Sequence, residues 1–279
     1  MIPASYVKKS IDFNKDFRSI LEVLKLVAVS QYHILERRLK TFDQWGEAME
    51  VFFDLIDLSR VRHPFLDPGG KPLAVVAVTS DAGLLGGMNL QVVTAAAELV
   101  QQENGRLVVL GERGQACAQD LRIPFAYFPG VVEAERHRQA AQLRNYLSSR
   151  ILSGELGALK VVYPRALSLV LYRIDVETLL PFTHVSAASA EYAKEQILES
   201  TPEEILEYLV YLLLGARFYE IFGWSCLAEQ AARFAHLEES SQKILEMNKK
   251  LTLQYFRRRH ETIDQNMREL FSARSLYAK

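Results

Sequence analysis

The two ends of this chain have almost nothing that breaks a helix. No proline occurs between Pro3 and Pro64, where Gly46 is the lone glycine, and the 77 residues after Pro202 hold only Gly215 and Gly223. Proline breaks helix interiors and glycine weakens them, so a helix is expected at each end. Apart from Pro3, the prolines fall between positions 64 and 202, together with eleven of the 14 glycines, which predicts a mixed centre. Cysteine is scarce too. Cys117 and Cys226 match no metal spacing and read as small core residues in a reducing cytosol. No apolar run reaches the 18 residues that suggest a membrane helix. The longest candidate, "ILEYLVYLLLGARF", is short and carries Glu207 and Arg217. The stretch "MIPASYVKKSIDF" lacks the apolar core and cleavage site of a signal peptide, so no direct membrane insertion is expected.

Catalytic patterns are missing as well. The sequence contains no H-E-x-x-H, G-x-S-x-G or C-x-x-C, and the histidines at 33, 63, 137, 184, 236 and 260 do not cluster. No metal or cofactor site is expected.

What is present is organised. The net charge is −1, but residues 1–40 carry +4, residues 241–279 carry +5 and the centre −10. Basic ends suit an acidic protein surface, anionic lipid or nucleic acid. Phe17, Leu21, Leu24, Ala28, Gln31, Leu35, Leu39 and Phe42 step by threes and fours, as do Leu237, Ile244, Met247, Leu251 and Tyr255 for the most part. That spacing, near 3.5, predicts a seam for an antiparallel coiled coil between two long helices. In the centre, "LAVVAVT" (73–79), "RLVVLG" (106–111) and "LKVVYP" (159–164) read as buried strands alternating with helices, and 166–182 as further extended chain. This alternation predicts a Rossmann-like α/β domain with a parallel sheet. The divisions expected are a shaft helix over 1–63, the α/β domain over 64–202 and a second shaft helix over 203–279.

The stretch "VTSDAGLLGGMN" (78–89) runs strand, glycine turn, helix, the order of a phosphate cradle. It lacks the Lys-Ser/Thr of a Walker loop and the G-x-G-x-x-G order of a dinucleotide turn. A second glycine turn, "GERG" (111–114), holds Arg113 but no Lys-Ser pair, and Lys71 is the one cation expected near the first. Asp81 could act as a base, but no partner for it is evident. A structural reading therefore fits better, with glycines giving a tight turn and letting another backbone approach.

These segments together resemble the γ subunit of F-type ATP synthases. In that family the turn reads Ser/Thr-Asp-Arg-Gly-Leu-Cys-Gly-Gly-X-Asn; Asp81, Gly83, Leu84, Gly86, Gly87 and Asn89 match it, with Ala82 and Leu85 in place of Arg and Cys. "VLKLVAVSQ" keeps the family's Val27, Ala28 and Ser30, with Leu24 and Leu26 for two methionines and Gln31 for a lysine. "LAEQAARF" resembles a further family segment through Glu229, Ala232 and Arg233, and the last segment matches at Leu253, Tyr255, Arg259 and Ile263. There His260 replaces Gln and Asp264 replaces Thr.

The resemblance implies a central rotor shaft that passes torque between a membrane ion-driven c-ring and the catalytic α/β hexamer, with the ε subunit as a further partner. It implies no catalysis by this chain, no cofactor and no nucleic acid. The place implied is the cytoplasmic side of a bacterial inner membrane, as a peripheral protein. Arg259, His260 and Asp264 would stand at the family's catch for an acidic loop of the β subunit, and the glycine turn would hold the α/β domain against the shaft. Two other readings stay open, a Rossmann-like nucleotide enzyme with helical extensions and a static coiled-coil scaffold.

Overall fold

The computed structural model describes residues 3–39, 61–182 and 200–277. Helix α1 (Ala4–Leu39) is followed by β1 (Leu73–Val78), α2 (Met88–Gln102), β2 (Arg106–Leu110), α3 (Glu112–Asp120), β3 (Phe125–Phe128), α4 (Arg136–Leu152), β4 (Ala158–Ser168) and β5 (Leu171–Leu180), then by α5 (Pro202–Tyr277). Two compact units result. One combines Met1–Val27 with Ala235–Lys279, and the other is Ala28–Phe234. The expected positions Phe42 and His184 lie outside the described residues.

The larger unit is built on a five-stranded sheet in the order β3-β2-β1-β4-β5. The first four strands are parallel, and β5 returns antiparallel to β4. All six residues of β1 are buried, because helices cover both faces and a strand so placed can be apolar throughout. Ala74, Val76 and Val78 face Leu143, Leu147 and Ile151 of α4 and Val210, Leu214 and Phe218 of α5. Val75 and Ala77 face Val92, Val93 and Ala96 of α2. Helix α5 starts on a capping box: Glu204 N–H donates to Thr201 Oγ1 and Thr201 N–H to the Glu204 carboxylate, both at 3.3 Å. Pro202 takes the first helical position, where no N–H is needed.

Two elements escaped the sequence reading. The "GERG" turn is the start of α3, with Gly111 as its cap, and "FAYF" is the edge strand β3. Neither carries a period long enough to register, and both are held by their neighbours.

The smaller unit is an antiparallel helix pair whose seam differs from the expected one. The buried residues of α1 there are Val7, Ile11 and Leu21, completed by the half-buried Asn14, Arg18 and Lys25, while Ala28, Tyr32, Leu35 and Leu39 are buried within the larger unit. Leu21, Ala28, Leu35 and Leu39 stand as expected. Phe17 and Gln31 are exposed, Leu24 is half-buried, and the seam runs one residue further on at 18, 25 and 32. On α5, Met247 is exposed and Asn248 takes the seam.

The cause is polar pairing across the seam. Asn14 Nδ2 donates to Asn248 Oδ1 at 2.9 Å, and Arg18 Nε to Ser241 Oγ at 3.2 Å. Ser241 in turn donates to Glu22 at 2.8 Å. Lys25 pairs with Glu238 and, at 2.7 Å, with Glu22. Burial would lower the Lys25 pKa, but its hydrogen bonds to the two carboxylates raise it overall. Long side chains lay apolar stems in the seam and carry their charged ends to a partner.

Polar seam residues specify register at a cost in stability. Replacing both Asn14 and Asn248 with Leu should stabilise the helix pair by roughly 1–2 kcal/mol in chemical denaturation. It should also broaden the distance distribution between spin labels on Ser19 and Gln242 from one register to several. A single sharp distance in the double variant would show that the asparagines do not set the register.

Candidate functional site

The chain leaves β1 at Val78 and turns into α2 at Met88. Asn89 Oδ1 accepts the Ser80 N–H at 3.1 Å, so the first turn of α2 grips the end of the strand. Gly86 sits at φ +59°, a conformation that favours glycine, and Leu84 shares it at φ +63°. Asp81 has partners that the sequence did not reveal. Its carboxylate accepts Glu112 N–H at 2.7 Å and Gly130 N–H at 3.1 and 3.2 Å. One side chain thus ties the turn to the start of α3 and to the loop before α4. The first N–H groups of a helix are a natural anion site. At α3 the anion in place is this carboxylate of the protein itself.

The glycines divide their work differently from the sequence reading. A Cβ on Gly83 would lie 3.5 Å from Arg113 Nη2 and one on Gly87 3.9 Å from Gln91, so both have room. The close approaches occur at the glycines facing them. A Cβ on Gly111, at φ +99°, would lie 2.8 Å from the Thr79 carbonyl oxygen, and one on Gly130 2.6 Å from the Asp81 carboxyl. The cation beside the turn is Arg113. Lys71 packs instead against Gly154 and Gly157.

The crevice above this turn decides what the site can do. β1 lies between β2 and β4: the chain runs outward from β1 to β2 and β3, then crosses back to β4 on the other side. In doubly wound folds that switch point is where ligands enter. Here it is filled by the chain itself. Leu85 and Met88 of the turn and Ala166 of β4 pack with Tyr32, Leu35 and Leu39 of α1 and with Ala228, Ala231 and Ala232 of α5. The small alanine face of α5 lets the helix come close. Glu229, on the next position of that face, is buried. Burial pushes its pKa up to about 7, the charge of Asp81 adds to the rise, and Ser80 and Arg233 oppose it.

A second buried group, absent from the sequence reading, locks α4 to the helices. Arg136 opens α4 with its guanidinium 3.9 Å from the Tyr219 ring centre and 3.2 Å from Glu133. A Cβ on Gly223 would come within 2.5 Å of both Arg136 Nη1 and Leu39 Cδ2, so that glycine makes the passage. The charged "EAERHR" run could have signalled the pair, but a charge run reads as a solvated face.

Among the other selected residues, Ala28 is buried while Val27, Ser30 and Gln31 are exposed. Arg259, His260 and Asp264 lie on α5 in the smaller unit, all exposed, whereas Arg258 is half-buried.

An α/β domain whose ligand crevice is plugged by its own terminal helices is a helix-holding module. The model of the ATP synthase family matches residues 4–275, and the chain belongs to that family. The ATP synthase gamma chain of Chlorobaculum tepidum is 26% identical over 271 residues, 92% of each chain. That of Geotalea daltonii is 30% identical over 208 residues, covering 73% of this chain and 72% of the relative. A chain in the Euglena gracilis mitochondrial ATP synthase (OSCP/F1/c-ring) matches at TM-score 0.69 and 15% identity, covering 98% of this chain and 93% of that one. One in the central stalk and c-ring of the Tetrahymena thermophila enzyme matches at 0.62 and 20%, covering 80% and 99%. These structures share the fold. No helix among the described residues is long and apolar enough to cross a membrane.

The glycine geometry makes a contrasting pair of variants. Gly111→Ala meets backbone in a left-handed conformation and should cost more than about 2 kcal/mol. Gly87→Ala, with room and an ordinary φ of −89°, should change stability by less than about 1 kcal/mol. Urea denaturation of both measures this, and equal losses would restore the close-approach role to the turn itself.

Proposed function

We propose that the chain is the non-catalytic central shaft of an F-type rotary ATP synthase, carrying torque between a membrane ion-driven ring and the catalytic α/β hexamer. The observation that carries this reading is the plugged crevice. A domain that spends its ligand site on gripping α1 and α5 is suited to holding a helix pair. Gamma chains among its relatives and the rotor fold of its structural neighbours support the same reading.

The surface of the helix pair also suits the role. Tyr6, Phe13, Phe17, Ile20 and Val27 of α1 are exposed apolar groups, and Leu253, Phe256 and Ile263 are exposed on α5. They offer contact area without fixed bonds. The basic charge of both ends adds attraction to acidic loops, each screened pair being worth only about 0–1 kcal/mol. Weak, non-directional contacts let a shaft turn past successive subunits. The partners of this reading are the α/β hexamer, the ε subunit and the c-ring, and its place is the cytoplasmic face of a bacterial inner membrane as a peripheral protein. Arg259, with His260 and Asp264 near it, is the catch for an acidic β loop; its neighbour Arg258 is half-buried, so the two point differently, as successive helical residues turn by about 100°.

Two measurements test this. Isothermal titration of the full chain with ATP should show no micromolar binding, since the first glycine turn lacks a Walker lysine and Asp81 occupies the helix start at the second; such binding would favour the enzyme reading. In reconstituted vesicles, Arg259→Glu should lower ion pumping per ATP hydrolysed, and Arg257→Glu should lower it less. Equal losses would mean general electrostatics, and no loss in either would remove the catch from this shaft.

A further inference from the structure

We propose that the larger unit holds a small-molecule site at the amino ends of its strands, shaped for an organic monoanion with an aromatic body. The reading of the chain as a rotor shaft is not needed for this, because every residue involved lies within that unit.

The site is a cavity of about 380 Å³ between α4 and the β2–β3 side of the sheet. It arises from the way α4 packs. Leu143, Leu147 and Ile151 turn toward the apolar face of β1. Toward β2 and β3 the helix presents Tyr146 and Arg150. The Tyr146 ring meets Phe128, at the end of β3, edge to face with centroids 5.1 Å apart. Nearer the start of β3 the sheet offers smaller side chains. Val108 pairs with both Val76 and Ala126, which puts Ala74, Val108 and Ala126 on one face of three adjacent strands. These three form the floor, and Tyr146, Arg150 and Leu156 line the space with them. A concave apolar site with a few placed polar groups is the usual form of a ligand pocket.

The polar groups converge on one side. Arg106 opens β2 on the same face as Val108 and is exposed. The Arg150 guanidinium carbon lies 4.6 Å from the Tyr146 ring centre. Arg150 Nη1 donates to the Glu155 carboxylate at 2.6 Å, and Arg106 Nη1 stands 3.7 Å from the same oxygen. At that distance Arg106 makes no direct hydrogen bond to Glu155, so its donors are open to a second acceptor. Two arginines share one carboxylate, and the three side chains sum to +1. Glu103, three residues before Arg106, is already paired with Lys160.

This arrangement selects a ligand class. The planar donor fork of arginine matches a carboxylate. The head of the ligand then lies at Arg106 and Arg150, and its aromatic body lies over Val108 and Ala126 against the Tyr146 ring. Glu155 repels the further charges of a phosphate ester, which limits the class to monoanions.

The test uses the full-length chain with 4-phenylbutanoate as probe, followed by calorimetry and nitrogen-15 NMR. Saturable binding with a Kd below about 1 mM is expected, with the largest amide shifts at Val108 and Ala126. 4-Phenylbutanol, which lacks the charge, should bind about tenfold more weakly, and Arg106→Gln should weaken the acid by a similar factor. Arg138→Gln, an exposed arginine in the first turn of α4, should leave the affinity unchanged. Ala126→Leu, which fills the floor, should abolish binding. No saturation by about 10 mM overturns the site, and equal affinity for the alcohol overturns its charge selection. Binding retained by Ala126→Leu, or lost equally in Arg138→Gln, overturns the proposal too. If Ala126→Leu does not fold, the wild-type shifts decide, and shifts centred away from Val108 and Ala126 refute the assignment.

Discussion

A doubly wound sheet leaves a crevice above the carboxyl ends of its central strands, and something must fill it. In most such folds a ligand does, held by glycines and by the free N–H groups of a helix. In this chain α1 and α5 fill it, and the rest of the larger unit follows from that. The alanine face of α5 lets the helix sit against Leu85 and Met88. The Asp81 carboxylate takes the N-terminus of α3, an anion site at the edge of the turn. Glycines are required where strand ends and loops crowd this carboxylate and Thr79, at 111 and 130, more than within the turn at 83 and 87.

The same economy explains the polar character of the interior at this point. Glu229, Ser80, Arg136 and Glu133 are brought together by helices that must cross the end of a sheet, where backbone groups are unpaired and side chains must answer them. The Ser80 and Gly130 amides take their acceptors from Asn89 at the start of α2 and Asp81 of the turn, and a buried amide without a partner costs about 1–3 kcal/mol. Polar packing here fixes how the helices sit on the turn.

In the smaller unit the balance is different. Asn14, Arg18 and Lys25 occupy places where a simple coiled coil would put leucine, while Phe13, Phe17 and Ile20 face outward. Two stripes run along one helix. One is partly polar and faces α5, and the other is apolar and exposed. An apolar stripe turned to solvent has a use only where other chains surround it, which agrees with membership of a family of multi-subunit machines.

The helices, the central strands and the order of elements were legible in the sequence, because each rests on a local signal. Proline scarcity and long periodicity mark α1 and α5, and six consecutive apolar residues mark β1 as a strand covered on both faces. The absence of a Walker lysine is equally local, and it argues against the most familiar use of the glycine turn. Tertiary structure decided the rest. Which of two overlapping heptads in α1 faces α5 depends on whether Ser241, Glu238 and Asn248 stand opposite Arg18, Lys25 and Asn14, and no single-helix pattern contains that. Strand β3 and helix α3 exist because β2 and α2 give them a surface. Asp81 gained its partners from residues 31 and 49 positions away, and Glu229 its burial from a turn about 150 positions back in the chain. Periodicity is a property of one segment, whereas pairing, burial and close approach are properties of two.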